Sequence, residues 1–198
     1  MPRVIKSDLL VETVCGAPSV GPDTHILVAD DHEINRKVFS ALLAFFGGGP
    51  TVVNNGAEAV LAWELGDWDL ILMDIQMPEM DGVTAARLIR AKELEGGRVR
   101  TPIIAVTCNT SPEDAASYRA AGMDELVAKP IQFSLLLAAM ERVMKDAPAR
   151  IAATGYKTLH LQRHAIDDAK NLAAYIAREL KRLGIARSKA YDFVAPSP

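Results

Sequence analysis

LILMDIQMPEMDG, residues 70–82, sets four apolar residues directly ahead of an aspartate, Asp74, and closes in a turn. The run Leu70-Ile71-Leu72-Met73 carries no polar alternation, the pattern of a strand covered on both faces, as in a parallel sheet. An ionised carboxylate costs several kcal/mol in such a place unless it stands at the strand end and is given partners. The fold therefore has to bring partners for Asp74 from elsewhere in the chain.

Working outward from residue 70, short β-rich apolar runs alternate with helical patterns. The other strand candidates are HILVAD (25–30), PTVVNN (50–55), TPIIAVT (101–107) and DELVAK (124–129), with DLILMD (69–74) in the middle. Between and after them, Ile34, Val38, Leu42 and Phe45 recur at helical spacing, as do Ala57, Val60, Leu61 and Glu64, and Phe133, Leu136, Leu137, Met140 and Val143. Turn chemistry punctuates the repeats at GGGP (47–50), PEMDG (78–82), GG (96–97) and SPED (111–114), the last suited to a helix start. Five β/α repeats predict an α/β fold: a doubly wound, five-stranded parallel sheet with helices on both faces. Ligands of such sheets bind beyond the carboxyl ends of the strands.

The 198 residues leave room for one domain of ordinary size plus extra elements, and 49% hydrophobic content supports a core. Asp8 and Glu12 interrupt what would be the apolar stretch of a signal peptide. No apolar run reaches the roughly 18–20 residues of a membrane span, so no span and a cytoplasmic location are expected. Cys15 and Cys108 are too few and too distant for a disulfide framework or a zinc site. The net charge of −3 hides an asymmetry: residues 1–149 hold 13 Lys+Arg against 21 Asp+Glu, and residues 150–198 hold 9 against 4. The expected division is an N-terminal arm or linker (1–23), a globular domain (24–146) and a basic helical C-terminal extension (147–198).

Polar residues gather at the predicted strand ends: Asp30 and Asp31 after the first, Asp74 after the third, Thr107 after the fourth, Lys129 and Pro130 after the fifth. Each has an ordinary explanation alone, but their joint coincidence with the strand termini does not. Carboxylates brought together repel by about 4 kcal/mol per pair at about 4 Å and an effective dielectric near 20. A hard divalent cation with oxygen ligands, Mg2+ by preference, relieves this and keeps coordination positions for a phosphoryl oxygen. Lys129 then offers a point charge and Thr107 a hydroxyl donor, while a carboxylate beside the metal can act as a nucleophile and form an acyl phosphate.

The stretches ILVADDHEINRKV, LILMDIQMPEMDG, PIIAVT and GMDELVAKPI, in this order over residues 24–146, resemble the receiver domain of two-component response regulators and hybrid histidine kinases. DIQMPEMDG and the Asn35-Arg36 pair are most similar to receivers that belong to, or serve, hybrid kinases. The resemblance implies a flavodoxin-like (βα)5 fold with Asp74 as phosphoacceptor. It implies a metal site of Asp30, Asp31, Asp74 and the Gln76 carbonyl. Thr107 and Lys129 become the phosphoryl contacts, and Pro130 fixes the geometry after Lys129. Gln76 and Asn109 occupy the positions that tune dephosphorylation. One position departs from the pattern: three residues before the lysine such receivers carry Tyr or Phe as a switch, and here stands Leu126. Cys108, where a small residue is common, is expected to pack.

The resemblance implies a phosphoacceptor that takes its phosphoryl group from a histidine kinase or histidine phosphotransfer protein with Mg2+, and signals by contact. It is not expected to be an enzyme turning over an external metabolite. A metal-dependent phosphatase with an aspartyl nucleophile would need a second Asp two residues on, where Gln76 cannot transfer protons. Alternatives are a fragment of a hybrid histidine kinase, or a DNA-binding regulator using Arg178, Lys181, Arg182, Arg187 and Lys189. A nucleic-acid partner is not the favoured reading, because the helix-turn-helix likeness of 176–191 is loose. His164 lacks the sequence context of a relay histidine. The apolar seam Ile166, Ala169, Ala173, Ile176, Leu180, Leu183 has heptad spacing, and predicts that 160–185 docks on a receiver surface, its own or that of a second copy.

Overall fold

A computed structural model describes residues 24–45 and 48–145 of the chain. The expectations for 1–23 and for 147–198, including His164 and the 160–185 seam, lie outside the described residues. The elements alternate strictly: β1 (Ile26–Ala29), α1 (Glu33–Phe45), β2 (Thr51–Val53), α2 (Gly56–Leu65), β3 (Leu70–Asp74), α3 (Gly82–Gly96), β4 (Ile103–Thr107), α4 (Pro112–Ala120), β5 (Glu125–Ala128) and α5 (Phe133–Lys145). All pairings are parallel, in the order β2-β1-β3-β4-β5. This is the expected flavodoxin-like, doubly wound sheet. Its strand order reverses between β1 and β3, which puts the ends of those two strands at the switch point where such folds bind ligands.

Strand side chains alternate between two cores. On one face Ile26, Val28, Leu70, Leu72, Ile104 and Val106 pack against α1 and α5. On the other, Leu27, Ala29, Ile71, Met73, Ile103 and Ala105 meet α2, α3 and α4. The continuous apolar run of β3 is thereby explained, since both of its faces are covered. The edge strand β2 is short and exposed (Thr51 and Val52), and predicted strand 50–55 shrinks to three residues because Asn55 leaves it to cap α2, accepting from the Glu58 N–H at 2.8 Å. Ser111 with Pro112 opens α4 as its sequence predicts.

The buried stripe of α2 differs from the sequence expectation. Gly56, Ala59, Val60 and Trp63 face inward, while Ala57 and Leu61 are exposed. Tertiary anchoring turns the helix: Trp63 is 1% exposed, its indole N–H donates to Thr101 Oγ1 at 3.0 Å and Arg98 lies over its ring. Gly56 donates its N–H to the Met80 carbonyl at 3.0 Å, a close approach that selects the small residue. Cys108 is exposed rather than packed, because the chain leaves the sheet at Thr107. Among the described residues no helix is long and apolar enough to cross a membrane.

Candidate functional site

At the carboxyl edge of the sheet the ends of β1 and β3 are adjacent, with Ala29 paired to Met73. The next residue on the first strand is Asp30, fully buried, and on the third Asp74, 5% exposed. Loop geometry closes over them: the Gly82 N–H donates to the Ile75 carbonyl at 3.0 Å, and a Cβ at Gly82 would overlap the Asp74 carbonyl oxygen. Glycine there lets α3 begin directly beside the strand end, with Asp81 capping it through the Thr84 N–H at 2.7 Å.

Lys129 arrives from β5. Its ammonium donates to Asp74 Oδ2 at 2.6 Å and to Asp30 Oδ2 at 3.0 Å, and its backbone N–H donates to the Thr107 carbonyl at 2.7 Å. One side chain thus bridges two buried carboxylates that lie 44 positions apart. Pro130 follows, exposed, through a cis peptide bond. Asp30 is held further by His32 N–H to Oδ1 at 2.9 Å and by the Asn35 amide, which reaches both carboxylate oxygens at 3.0 Å. Arg36 donates to the Asp30 carbonyl at 2.7 Å. Asp31 is exposed beside them, and the Gln76 N–H donates to Asp74 Oδ1 at 3.3 Å.

Burial raises the pKa of the Asp74 carboxyl; the hydrogen bond and charge of Lys129 pull the other way, the charge of Asp30 adds to the rise, and the net direction is up. Burial by itself lowers the Lys129 pKa, but its bond to Asp74 and the charges of Asp30 and Asp74 outweigh that, and it too ends raised. The two directions pull against each other, one weakening and one strengthening the ion pair. The firmer is that of Lys129, because two carboxylates face one ammonium at bonding distance.

Charge counting tests the fit of a divalent cation. Oxygens of Asp30, Asp31 and Asp74 come within 4.8 Å of one another. Against these carboxylates Lys129 supplies one positive charge, so the ionised site keeps two surplus negative charges, those a divalent cation carries. The donors are all hard oxygens, with Asp31 open to solvent to admit the ion, so the residues fit Mg2+.

Thr107 ends β4 one residue beyond Val106, the partner of Asp74 across the ladder. Its hydroxyl accepts from the Asn109 N–H at 3.1 Å and lies 3.5 Å from the Tyr118 hydroxyl of α4. Leu126 is half-buried and packs against the α2, α3 and α4 core. The structure therefore brings Asp30, Asp31, Asp74 and Lys129 into one cluster, with Gln76 and Thr107 at its border and Leu126 set back. Two participants go unread in the sequence reasoning as site residues: the Asn35 clamp on Asp30, and Tyr118. The available signals were an Asn in the first turn after the acidic pair, and the lone aromatic in an otherwise small and polar helix, PEDAASYRA.

Comparison with known proteins agrees with this geometry. The family model described as response regulator receiver domain matches residues 26–141. A probable histidine kinase of Oryza sativa subsp. indica is 36% identical over 137 residues, covering 54% of this chain but 14% of that protein. The chain spans less than a quarter of the length of that kinase and of fungal SKN7 transcription factors it also matches. The receiver domain of the Pseudomonas aeruginosa sensor kinase PA1611, solved with magnesium in its active-site cleft, is 38% identical with a TM-score of 0.56, covering 62% of this chain and 98% of that one. The Saccharomyces cerevisiae Ssk1 receiver, solved in complex with the phosphotransfer protein Ypd1, is 27% identical with a TM-score of 0.60, covering 66% and 95%.

Proposed function

This chain belongs to the response regulator receiver domain family, a phosphorelay module, and from that premise we propose that Asp74 is its phosphoacceptor, with Mg2+ held by Asp30, Asp31, Asp74 and the Gln76 carbonyl. The single observation that carries the reading is the bridge of Lys129 between Asp74 and Asp30 at 2.6 and 3.0 Å, one buried cation between two carboxylates at the switch point of the sheet. The donor class is a phosphohistidine, on a histidine kinase or a phosphotransfer protein; the relative solved with Ypd1 supports this.

In the proposed step an Asp74 carboxylate oxygen attacks phosphorus in line, the P–N bond of phosphohistidine breaks, and the imidazole leaves with the electron pair and takes a proton from solvent. An acyl phosphate on Asp74 results. Mg2+, when bound, neutralises charge on the phosphoryl oxygens and orients them. Lys129 offsets charge on another oxygen, Thr107 donates its hydroxyl to a third, and Asn35 keeps Asp30 from turning away. In this reading the chain acts on its own side chain.

The test is incubation of the full chain with acetyl phosphate and Mg2+. One hydroxylamine-labile phosphoryl adduct, seen by intact mass and mapped to Asp74, is the expected outcome; no adduct, or one elsewhere, overturns the reading. The adduct should be moderately long-lived. Gln76 and Asn109, exposed amides beside the site, can hydrogen-bond an attacking water but cannot deprotonate it. Decay complete within seconds at room temperature would contradict that assignment.

Asp31→Ala should weaken Mg2+ binding by about tenfold or more, the scale of losing a charged partner of the metal, and raise thermal stability in metal-free buffer by relieving like-charge repulsion. Titration calorimetry and a thermal melt read the two effects. An unchanged metal affinity would remove Asp31 from the site.

A further inference from the structure

Tyr118 stands apart in α4. It is the one buried residue of that helix, 6% exposed, and its ring packs into the core shared with Ile103, Ala105 and Met123. Its hydroxyl lies 3.5 Å from Thr107 Oγ1 and 3.4 Å from the Asn109 carbonyl. Both separations are at the long limit of hydrogen bonding, where such bonds are weak. The hydroxyl is therefore shared between two partners and locked to neither, although a buried phenol ordinarily settles on one good bond. Beside the ring a cleft of about 180 Å3 opens between α4 and β5, lined among others by Ala115, Tyr118, Arg119, Met123 and Leu126. The ring thus has room to move, and Leu126 leaves that room unfilled.

Resting on the proposed role of Thr107 as a phosphoryl contact, we propose that Tyr118 is the positioning residue that couples this site to α4, in place of an aromatic at position 126. The Thr107 hydroxyl has one proton to donate. When a phosphoryl oxygen takes it, the threonine side chain turns toward Asp74 and leaves the Tyr118 hydroxyl. The phenol then closes on the Asn109 carbonyl, drawing the 107–111 loop against the first turns of α4, and the ring shifts toward the cleft. The surface formed by α4 and β5 changes as a consequence, and the side chains that report it are those lining the cleft. The resting contacts of the hydroxyl are both long and weak, whereas the closed bond to the Asn109 carbonyl exists only in the phosphorylated state, so by linkage removing the hydroxyl disfavours the phosphorylated form. Exchanging two long hydroxyl contacts for one closed bond is worth a factor of about three in such an equilibrium.

The full chain labelled with 3-fluorotyrosine tests this by 19F NMR; it holds four tyrosines, and the resonance missing in Tyr118→Phe identifies position 118. The probe is beryllium fluoride with Mg2+, a mimic of the acyl phosphate. The expected result is a shift of the Tyr118 resonance on addition, no shift in Asp74→Asn, and loss of the shift in Thr107→Val even where the mimic still binds. Tyr118→Phe, which keeps the ring but cannot close on the Asn109 carbonyl, should bind the mimic about threefold more weakly than the parent chain. If acetyl phosphate labels Asp74 while the Tyr118 resonance stays fixed and Tyr118→Phe binds the mimic with parental affinity, the tyrosine is only a core residue and the inference is overturned with the proposed function intact. If Asp74 takes no phosphoryl group, the proposed function fails and the inference falls with it.

Discussion

Asp74→Asn is expected to reduce Mg2+-dependent labelling by acetyl phosphate to background while leaving the protein folded and somewhat more stable. The amide matches the carboxylate in volume, so the packing at the end of β3 is kept, but it lacks the anionic oxygen that forms the acyl phosphate. No neighbour can substitute for it efficiently. Asp30 is saturated by the His32 N–H, Asn35 and Lys129, and Asp31 faces solvent. Stability should rise because burial and the charge of Asp30 both disfavour the ionised Asp74, and a neutral amide there leaves Lys129 its charged partner Asp30 at 3.0 Å. Intact mass after donor incubation and a chemical denaturation curve read the two results. Labelling of the Asn variant at the parental level would remove Asp74 from its role.

Lys129→Met is expected to carry the largest stability cost of any change at the site. Its side chain is 15% exposed, and its ammonium is the cation shared by two Asp side chains that are 0% and 6% exposed. Removing one member of a buried ion pair leaves the other charge uncompensated and costs about 3–5 kcal/mol. Methionine keeps most of the stem volume, so the loss is electrostatic rather than a cavity. Mg2+ should return a good part of it, because the ion then takes over the charge compensation that Lys129 gave up. The rise in melting temperature on adding Mg2+ is therefore larger in the variant than in the parent. Equal stability of variant and parent without metal, or equal gains on adding Mg2+, would show that Lys129 does not hold the carboxylates together.

The polar residues at the strand ends were legible because β/α alternation restricts where polar side chains can stand. In a sheet covered on both faces, Asp30, Asp74, Thr107 and Lys129 have no polar environment except the strand ends, so a linear reading of five apolar runs already collects them on one edge. The inward face of α2 was not legible, since Ala57, Ala59, Val60 and Leu61 offer two overlapping stripes. The choice falls to Trp63, whose indole reaches Thr101, 38 residues away. Nor was the opposite end of the sheet. Arg90 joins Glu93, Asp124 and the Thr101 and Gly122 carbonyls, a charged network that sequence reasoning did not single out.

What the sequence by itself determined is the fold class, the strand-end cluster of Asp30, Asp31, Asp74, Thr107 and Lys129, and the oxygen-rich chemistry that suits Mg2+, all consequences of local periodicity and of the cost of burying charge. What only the tertiary structure decided is who holds whom. Lys129 bridges Asp30 and Asp74 across 99 and 55 positions, Asn35 rather than solvent saturates Asp30, and the aromatic ring beside Thr107 comes from Tyr118 on α4 rather than from position 126. The reason is physical: periodicity reports which face of an element is buried, but a hydrogen bond depends on distances of a few tenths of an ångström between side chains on different elements, and those are set by the packing of helices on the sheet.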